Sequence, residues 1–123
     1  LAGARSVVAI DIEAFAISAA ELNAEANRVD IDVIEKDPVD TDDGWEIVLV
    51  GDLWYEDEVA ARLAPWLRSL AARGATVLTG DLGRAYLPTS GLTAIATYEV
   101  RTEIDLEDAD LKTVRILRVD PAT

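Results

Sequence analysis

The 123-residue sequence contains no cysteine and no histidine. The absence of cysteine excludes disulfides, thiol catalysis and thiolate zinc sites. The absence of histidine removes the commonest general base and the commonest metal ligand, and with them every Ser-His-Asp triad. Carboxylates, tyrosines and lysine are the acid–base groups that remain. These two absences narrow the enzyme classes more than any motif in the sequence does.

Basic residues are also scarce, with 11 Lys and Arg against 24 Asp and Glu and a net charge of −13. Phosphate backbones and anionic membranes are bound through Lys and Arg, so we expect neither a nucleic-acid nor a membrane partner. A basic protein surface is compatible with this charge, and solubility is the simpler explanation of it. No apolar run approaches the roughly 20 residues that cross a bilayer. Without a signal-peptide pattern, the predicted location is cytoplasmic.

One hydrophobic run in the middle of the chain is followed at once by polar and aromatic residues. Ile47–Val50 is predicted to be a strand buried on both faces, as in the middle of a parallel sheet. Gly51 ends the run, and Asp52, Trp54 and Tyr55 follow. Ligands of open α/β sheets bind beyond the carboxyl ends of the strands, so these residues are candidates for function. The alternative is an ordinary strand-to-helix turn, with the acid as a cap and the aromatic rings in the core.

Strands and helices alternate along the rest of the chain. Apolar runs and period-two patterns predict the strands, and apolar residues at helical spacing predict the helices. The predicted strands lie at 7–10, 29–34, 75–79, 97–101 and 112–119, and the predicted helices at 13–27 and 56–73. This alternation favours a layered α/β fold. The acidic connection at 103–110 is predicted to be a solvated turn that makes the last two strands an antiparallel pair.

Several side chains carry more local predictions. Phe15 and Trp66 are expected on the core-facing stripes of the first and second helices. Pro65 is expected to kink the second helix or to split it in two. Gly74 is expected to end that helix, and another short helix is predicted near Leu92.

Two polar loops resemble ligand-binding loops without matching them. The 40–44 segment, Asp-Thr-Asp-Asp-Gly, is similar to part of a calcium loop, but the EF-hand spacing and the closing Glu are absent. The glycine-containing 80–84 segment lacks the spacing of a phosphate-binding loop. We therefore predict no metal site.

Three stretches together resemble the class I, seven-strand S-adenosylmethionine-dependent methyltransferases. They are 7–12 with 22–27, then 51–56, and then 80–88 with 113–117. The second stretch contains an Asp-x-x-Tyr signature, formed here by Asp52 and Tyr55. The chain is most similar to the branch that contains the electron-transfer-flavoprotein β-subunit lysine methyltransferase and bacterial nicotinamide N-methylase-like proteins. The resemblance implies a Rossmann-like, mostly parallel sheet with a C-terminal antiparallel pair in a single domain over 1–123.

The sequence departs from this family at its beginning. The family's first strand and the glycine-rich turn after it are absent, and Leu1 is not a methionine. In the family's sheet that strand lies between the strands ending here near Asp11 and Gly51. We therefore expect the chain to be the C-terminal portion of a larger domain, unless another segment or a second copy of the chain fills the gap.

The resemblance also implies S-adenosylmethionine as cofactor and assigns residues to it. Asp11 would accept hydrogen bonds from the ribose hydroxyls and Ile12 would pack on the adenine. Asp37 would accept from the adenine amino group, and Gly51 would lie beside the cofactor. Two simpler alternatives stay open. Asp11 is also placed to cap the following helix, and Asp37 is also a typical turn acid before Pro38.

By the same resemblance, Asp52 and Tyr55 would face the nitrogen that accepts the methyl group. A carboxylate and a phenol can hold the amine's hydrogens so that its lone pair points at the methyl carbon. Trp54 or Tyr55 would add a cation–π contact. These expectations describe an N-methyltransferase acting on protein lysine. The alternatives are a small-molecule amine as substrate and a catalytically inactive binding module.

Overall fold

The computed structural model describes residues 2–103 and 109–122. The chain divides into two compact units, Leu1–Thr41 and Asp42–Thr123. The single domain over 1–123 that the resemblance implies stays a prediction. The described elements of the first unit are β1 (Val8–Asp11), α1 (Ala14–Asn27) and β2 (Asp32–Glu35). Those of the second are β3 (Ile47–Val50), α2 (Asp57–Arg73), β4 (Thr76–Asp81), β5 (Leu92–Glu103) and β6 (Ala109–Val119).

In the first unit, β1 and β2 form a parallel pair joined by α1. Val8 lies opposite Asp32, and Asp11 lies opposite Glu35. The helix ends at Arg28, whose backbone adopts the left-handed conformation at φ 53°. Because the two strands are parallel, the residues that follow them lie together at the carboxyl end of the sheet.

The face that α1 turns inward is not the predicted one. Phe15 is 89% exposed, whereas the half-buried positions of the helix are Ala16, Ile17, Ala20 and Ala24. Small side chains let a helix approach a sheet closely, so the alanine-rich side packs and the bulkier side faces outward. The prediction of a core-facing Phe15 is therefore wrong for the described structure.

The second unit is built on a four-stranded mixed sheet in the order β3-β4-β6-β5. β3 and β4 are parallel, whereas β6 runs antiparallel to both β4 and β5. The α/β class and the C-terminal antiparallel pair are thus confirmed. Most of the predicted acidic turn, residues 104–108, lies outside the described residues.

β5 begins at Leu92, where a short helix was predicted. Leu92 lies opposite Val119 in the ladder with β6. The chain turns into this ladder at Gly91, whose positive φ of 76° suits glycine. The backbone N–H of Asp120 then donates to the carbonyl of Gly91 at 2.8 Å. Pairing with a distant strand overrides the weak local preference for helix.

α2 covers one face of the second sheet. Its buried side chains include Leu63, Trp66 and Leu67, so the core position predicted for Trp66 is confirmed. Pro65 lies inside a single helix that runs from Asp57 to Arg73, and the predicted split does not occur. Packing of the apolar side chains around Pro65 keeps this segment helical. The helix ends as predicted at Gly74, with φ 111°.

The opposite face of this sheet is open among the described residues. Val50 is buried on the side that α2 covers, but Leu49, on the other side of the same strand, is 75% exposed. β3 is also an edge strand of the described sheet, and β1 belongs to the other sheet. The prediction that Ile47–Val50 is a central strand buried on both faces is therefore not met in the described structure. Neither described helix is long and apolar enough to cross a membrane.

Candidate functional site

Asp52 forms a two-point ion pair with Arg84. Asp52 follows β3 by two residues and Arg84 lies in the loop after β4, so the parallel strands bring both to one edge of the sheet. Arg84 donates from Nε to Oδ1 of Asp52 at 2.8 Å and from Nη2 to Oδ2. The side chains of Arg84 and Asp52 are 42% and 43% exposed. The site therefore presents a guanidinium and a carboxylate that are fixed to each other at the surface.

This pairing further stabilises the charged forms of both side chains. The hydrogen bonds from Arg84 hold the pKa of the Asp52 carboxyl below its usual range. The same hydrogen bonds raise the pKa of the Arg84 guanidinium. Asp52 is thus an ionised acceptor at neutral pH and a poor proton acceptor in the acid–base sense. It can orient a hydrogen-bond donor, but it is not suited to be a general base.

Arg84 was not among the predicted site residues. A signal for it is present in the sequence, because Arg84 follows the end of a strand predicted to be parallel to the one before Asp52. The alternative that Asp52 is only a helix cap does not hold. α2 has Glu56 at its N-cap position, without a side-chain capping bond.

The two aromatic residues after Asp52 have different environments. Tyr55 is 54% exposed, so its ring and hydroxyl are open to solvent. Trp54 is only 1% exposed, and its indole N–H donates to Oγ1 of Thr79 at 2.8 Å. Burial removes the Trp54 ring from the surface, which corrects its predicted cation–π role. Trp54 fills the core, as in the alternative weighed for it, and Tyr55 is the aromatic side chain that the site presents.

Asp81 is a buried carboxylate that was not among the predicted site residues. Its Oδ1 accepts the backbone N–H groups of Gly83 at 2.9 Å and Arg84 at 3.1 Å. Its Oδ2 accepts from Nη2 of Arg115 at 2.7 Å. Burial raises the pKa of Asp81, but these hydrogen bonds outweigh it and hold the pKa below its usual range. Asp81 therefore anchors the loop that carries Arg84. An acid at the end of a buried strand, just before a loop that contains glycine, is the sequence signal for it.

In the first unit, Asp11 and Asp37 lie at the carboxyl edge of the β1–β2 pair. Oδ1 of Asp11 accepts the N–H of Glu13 at 2.9 Å, and Oδ1 of Asp37 accepts the N–H of Val39 at 3.0 Å. The Asp37 bond is the turn expected from its simpler alternative. The Asp11 bond is also a short-range turn, but Asp11 does not cap α1, which has Glu13 at its N-cap position without a side-chain capping bond. Ile12, next to Asp11, is exposed. The structure thus brings these predicted cofactor residues to one edge of one sheet.

Gly51 lies at the carboxyl end of β3, directly before Asp52. A side chain built at Gly51 would meet no atom within 4 Å. Protein packing therefore does not require glycine at this position. Among residues 2–103 and 109–122, no group of three or more acidic side chains lies close enough to hold a metal ion.

Sequence comparison finds relatives for part of this chain. No protein-family model matches the chain. The chain is 36% identical over 88 residues to the electron transfer flavoprotein beta subunit lysine methyltransferase of Danio rerio. It is 38% identical over 88 residues to that of Xenopus laevis, and 33% identical over 87 residues to that of Homo sapiens. The matched region is homologous to these lysine methyltransferases.

The homology is partial in length. The match with the Danio rerio methyltransferase covers 69% of this chain and 34% of the relative. The match with the Homo sapiens methyltransferase covers 68% of this chain and 33% of the relative. The chain thus spans about a third of the length of the lysine methyltransferases it matches.

Comparison with solved structures finds proteins with a fold similar to that of this chain. An rRNA methylase from Streptococcus thermophilus matches 96% of this chain and 75% of its own with a TM-score of 0.56 at 10% identity. A structure described for the conversion of a disulfide bond into a thioacetal group during echinomycin biosynthesis matches 96% of this chain and 68% of its own, with a TM-score of 0.58 at 16% identity. At such low identities the likeness concerns the fold alone. The chain has a class I methyltransferase-like fold.

Proposed function

We propose that the chain is part of an S-adenosylmethionine-dependent N-methyltransferase that acts on protein lysine. The observation that carries this proposal is the 36% identity over 88 residues to a lysine methyltransferase. The exposed Asp52 and Tyr55, at the carboxyl end of a parallel strand, support it because they have the chemistry to orient an amine.

The residues assigned to the cofactor fit its adenosine portion. Asp11 and Asp37 provide carboxylate acceptors for hydroxyl and amino groups, and each uses Oδ1 for a backbone N–H. Ile12 provides an exposed apolar surface next to Asp11, suited to the face of an adenine ring. Bound S-adenosylmethionine would supply a methyl group attached to a positively charged sulfur.

Asp52 and Tyr55 would then orient the accepting amine. They would hold a neutral lysine nitrogen so that its lone pair is directed at the methyl group that the bound cofactor would supply. Asp52 and Tyr55 accept hydrogen bonds from the amine and stabilise the charge that develops on nitrogen. Because Asp52 is ionised and paired with Arg84, the proton lost from nitrogen goes to water. A free lysine has a pKa of about 10.4, so the rate should rise with pH above neutrality.

A labelled-methyl assay tests this proposal, with electron transfer flavoprotein β subunit as acceptor. We expect Asp52→Asn to lower kcat by about 100-fold, the order found when one transition-state contact is removed. Affinity for S-adenosylmethionine, measured by calorimetry, should stay within about twofold of the unmodified protein, since no cofactor contact is assigned to Asp52. Asp30→Asn, an exposed acid in the first unit, is the matched control and should leave both unchanged.

The assay also separates the alternatives. Transfer to nicotinamide-like amines but not to protein would favour a small-molecule N-methyltransferase. Cofactor binding without transfer to any amine would favour an inactive binding module. The assay requires a protein in which the methyltransferase sheet is complete, and absence of both binding and transfer in that protein would contradict the proposal.

We further propose that a strand absent from this chain completes the methyltransferase sheet. In the described residues, β3 has an open edge and an exposed apolar face. The register with β4 points the backbone N–H groups of Ile47 and Leu49 to the open edge and those of Val48 and Val50 to β4. In the isolated chain we expect fast hydrogen exchange at Ile47 and Leu49 and slow exchange at Val48 and Val50. Slow exchange at all four in a protein of monomer mass would contradict a missing strand.

A further inference from the structure

A cavity of about 550 Å³ lies next to the Asp52–Arg84 pair. Arg84 and Arg115 both line it. Asp81 also lines it, and the remaining lining is largely small or aliphatic and includes Leu87, Pro88 and Ala94. The volume is within the range of small-ligand sites. We call this space the arginine cavity.

Both guanidinium groups are held in place by carboxylates. Arg84 is fixed by its two hydrogen bonds to Asp52. Arg115 is fixed by Asp81, whose own side chain is fully buried. Asp81 also accepts a hydrogen bond from the backbone N–H of Arg84, so one buried carboxylate helps to position both arginines. Little side-chain freedom is left to lose on binding a ligand.

Both arginines have guanidinium N–H groups that their ion pairs do not use. A guanidinium has five N–H groups and accepts no hydrogen bond. Arg84 uses Nε and Nη2, and Arg115 uses Nη2. Among the described side chains, those of residues 2–101 and 111–122, the Nη1 groups of both arginines make no hydrogen bond. Their side chains are 42% and 47% exposed, so these donors can reach a ligand.

We propose that the arginine cavity binds a carboxylate group through the free donors of Arg84 and Arg115. A planar carboxylate matches the fork of a guanidinium and can accept two parallel hydrogen bonds. The two arginines are already balanced by Asp52 and Asp81, so a singly charged group is better matched than a doubly charged phosphate. Hydrogen-bond geometry should therefore contribute more to the binding free energy than the net charge attraction between cavity and ligand. We expect a dissociation constant in the millimolar range. The proposal does not depend on methyl transfer.

Two sources of the carboxylate are to be distinguished, an acidic side chain of a protein and a small organic acid. The probes are the peptide acetyl-Ala-Glu-Ala-amide, its Gln counterpart, succinate and inorganic phosphate. Binding is followed by NMR shifts of the backbone amides of Gly83, Arg84 and Leu87. We expect saturable shifts with the Glu peptide or succinate, and none with the Gln peptide. Equal shifts from the Glu and Gln peptides, or binding of phosphate alone, would overturn the proposal.

Variants locate the binding within the cavity. Ala94→Trp fills the arginine cavity without touching any charge, and it should weaken carboxylate binding by about tenfold or more. Arg84→Met should weaken carboxylate binding by a similar factor, because one of the two guanidinium groups is lost. Arg118→Met is the matched control, because Arg118 is an exposed arginine outside the cavity lining. Loss of binding in the Arg118 variant, or full binding in Ala94→Trp, would contradict the assignment.

Discussion

The indole N–H of Trp54 and the hydroxyl of Thr79 form a buried hydrogen bond of 2.8 Å between the loop after β3 and the strand β4. Both residues are almost fully inaccessible to solvent. This bond fixes the segment that carries Asp52 and Tyr55 to the sheet. It explains why one of two adjacent aromatic residues is structural while the other faces solvent.

Thr79→Val should destabilise the protein by about 1–3 kcal/mol, because it leaves the buried indole N–H without an acceptor. Trp54→Phe should also destabilise it, since the ring becomes smaller and the Thr79 hydroxyl loses its donor. The double variant should lose less than the sum of the two single losses. Urea unfolding of the four proteins gives the comparison. Strict additivity, within about 0.5 kcal/mol, would show that the two side chains do not interact.

The pKa of Asp52 should depend on Arg84. In the unmodified protein the carboxyl should titrate below the ordinary aspartate value of about 3.9, because Arg84 stabilises its ionised form. In Arg84→Met the pKa should rise towards that value. NMR titration of the Asp52 carboxyl carbon measures both. Arg118→Met should leave the titration as it is, and an unchanged pKa in Arg84→Met would refute the ion pair in solution.

Asp81 should make the protein sensitive to acid. Its pKa is lower in the folded state than in the unfolded state, so its stabilising effect is fully present above about pH 4. It should be lost as the pH falls through the lower, folded-state pKa. Asp81→Asn should flatten this part of the curve of unfolding free energy against pH. The measurement is denaturant unfolding at a series of acidic pH values, and an equally steep loss in Asp81→Asn would assign it to other carboxylates.

The two helices should respond differently to substitution. Phe15→Ser in α1 should change the free energy of unfolding by no more than about 0.5 kcal/mol, because the ring is 89% exposed. Leu67→Ala in α2 should cost about 2–5 kcal/mol, because Leu67 is 0% exposed. Chemical denaturation of both variants provides the test. A loss above about 1 kcal/mol for Phe15→Ser would mean that something covers this face in solution.

Much of the fold follows from short-range patterns. Apolar runs, helical spacing and the glycines at 51 and 74 predicted the order of the strands and helices and the antiparallel C-terminal pair. The placement of Asp52 after a parallel strand also follows from them, because strand direction determines the edge at which the next residues emerge. The resemblance to lysine methyltransferases also follows from the sequence, and homology confirms it.

The sequence by itself therefore determined the α/β class, the exclusion of thiol and histidine chemistry, and the edge of the sheet where the candidate residues lie. Only the tertiary structure decided which of these residues are buried and what they contact. Arg84 meets Asp52 across 32 positions, and Arg115 meets Asp81 across 34. No periodicity or turn signal spans such distances, because those signals report local backbone preference. The partners are set by strand pairing, which places Asp81 opposite Arg115 and β3 beside β4.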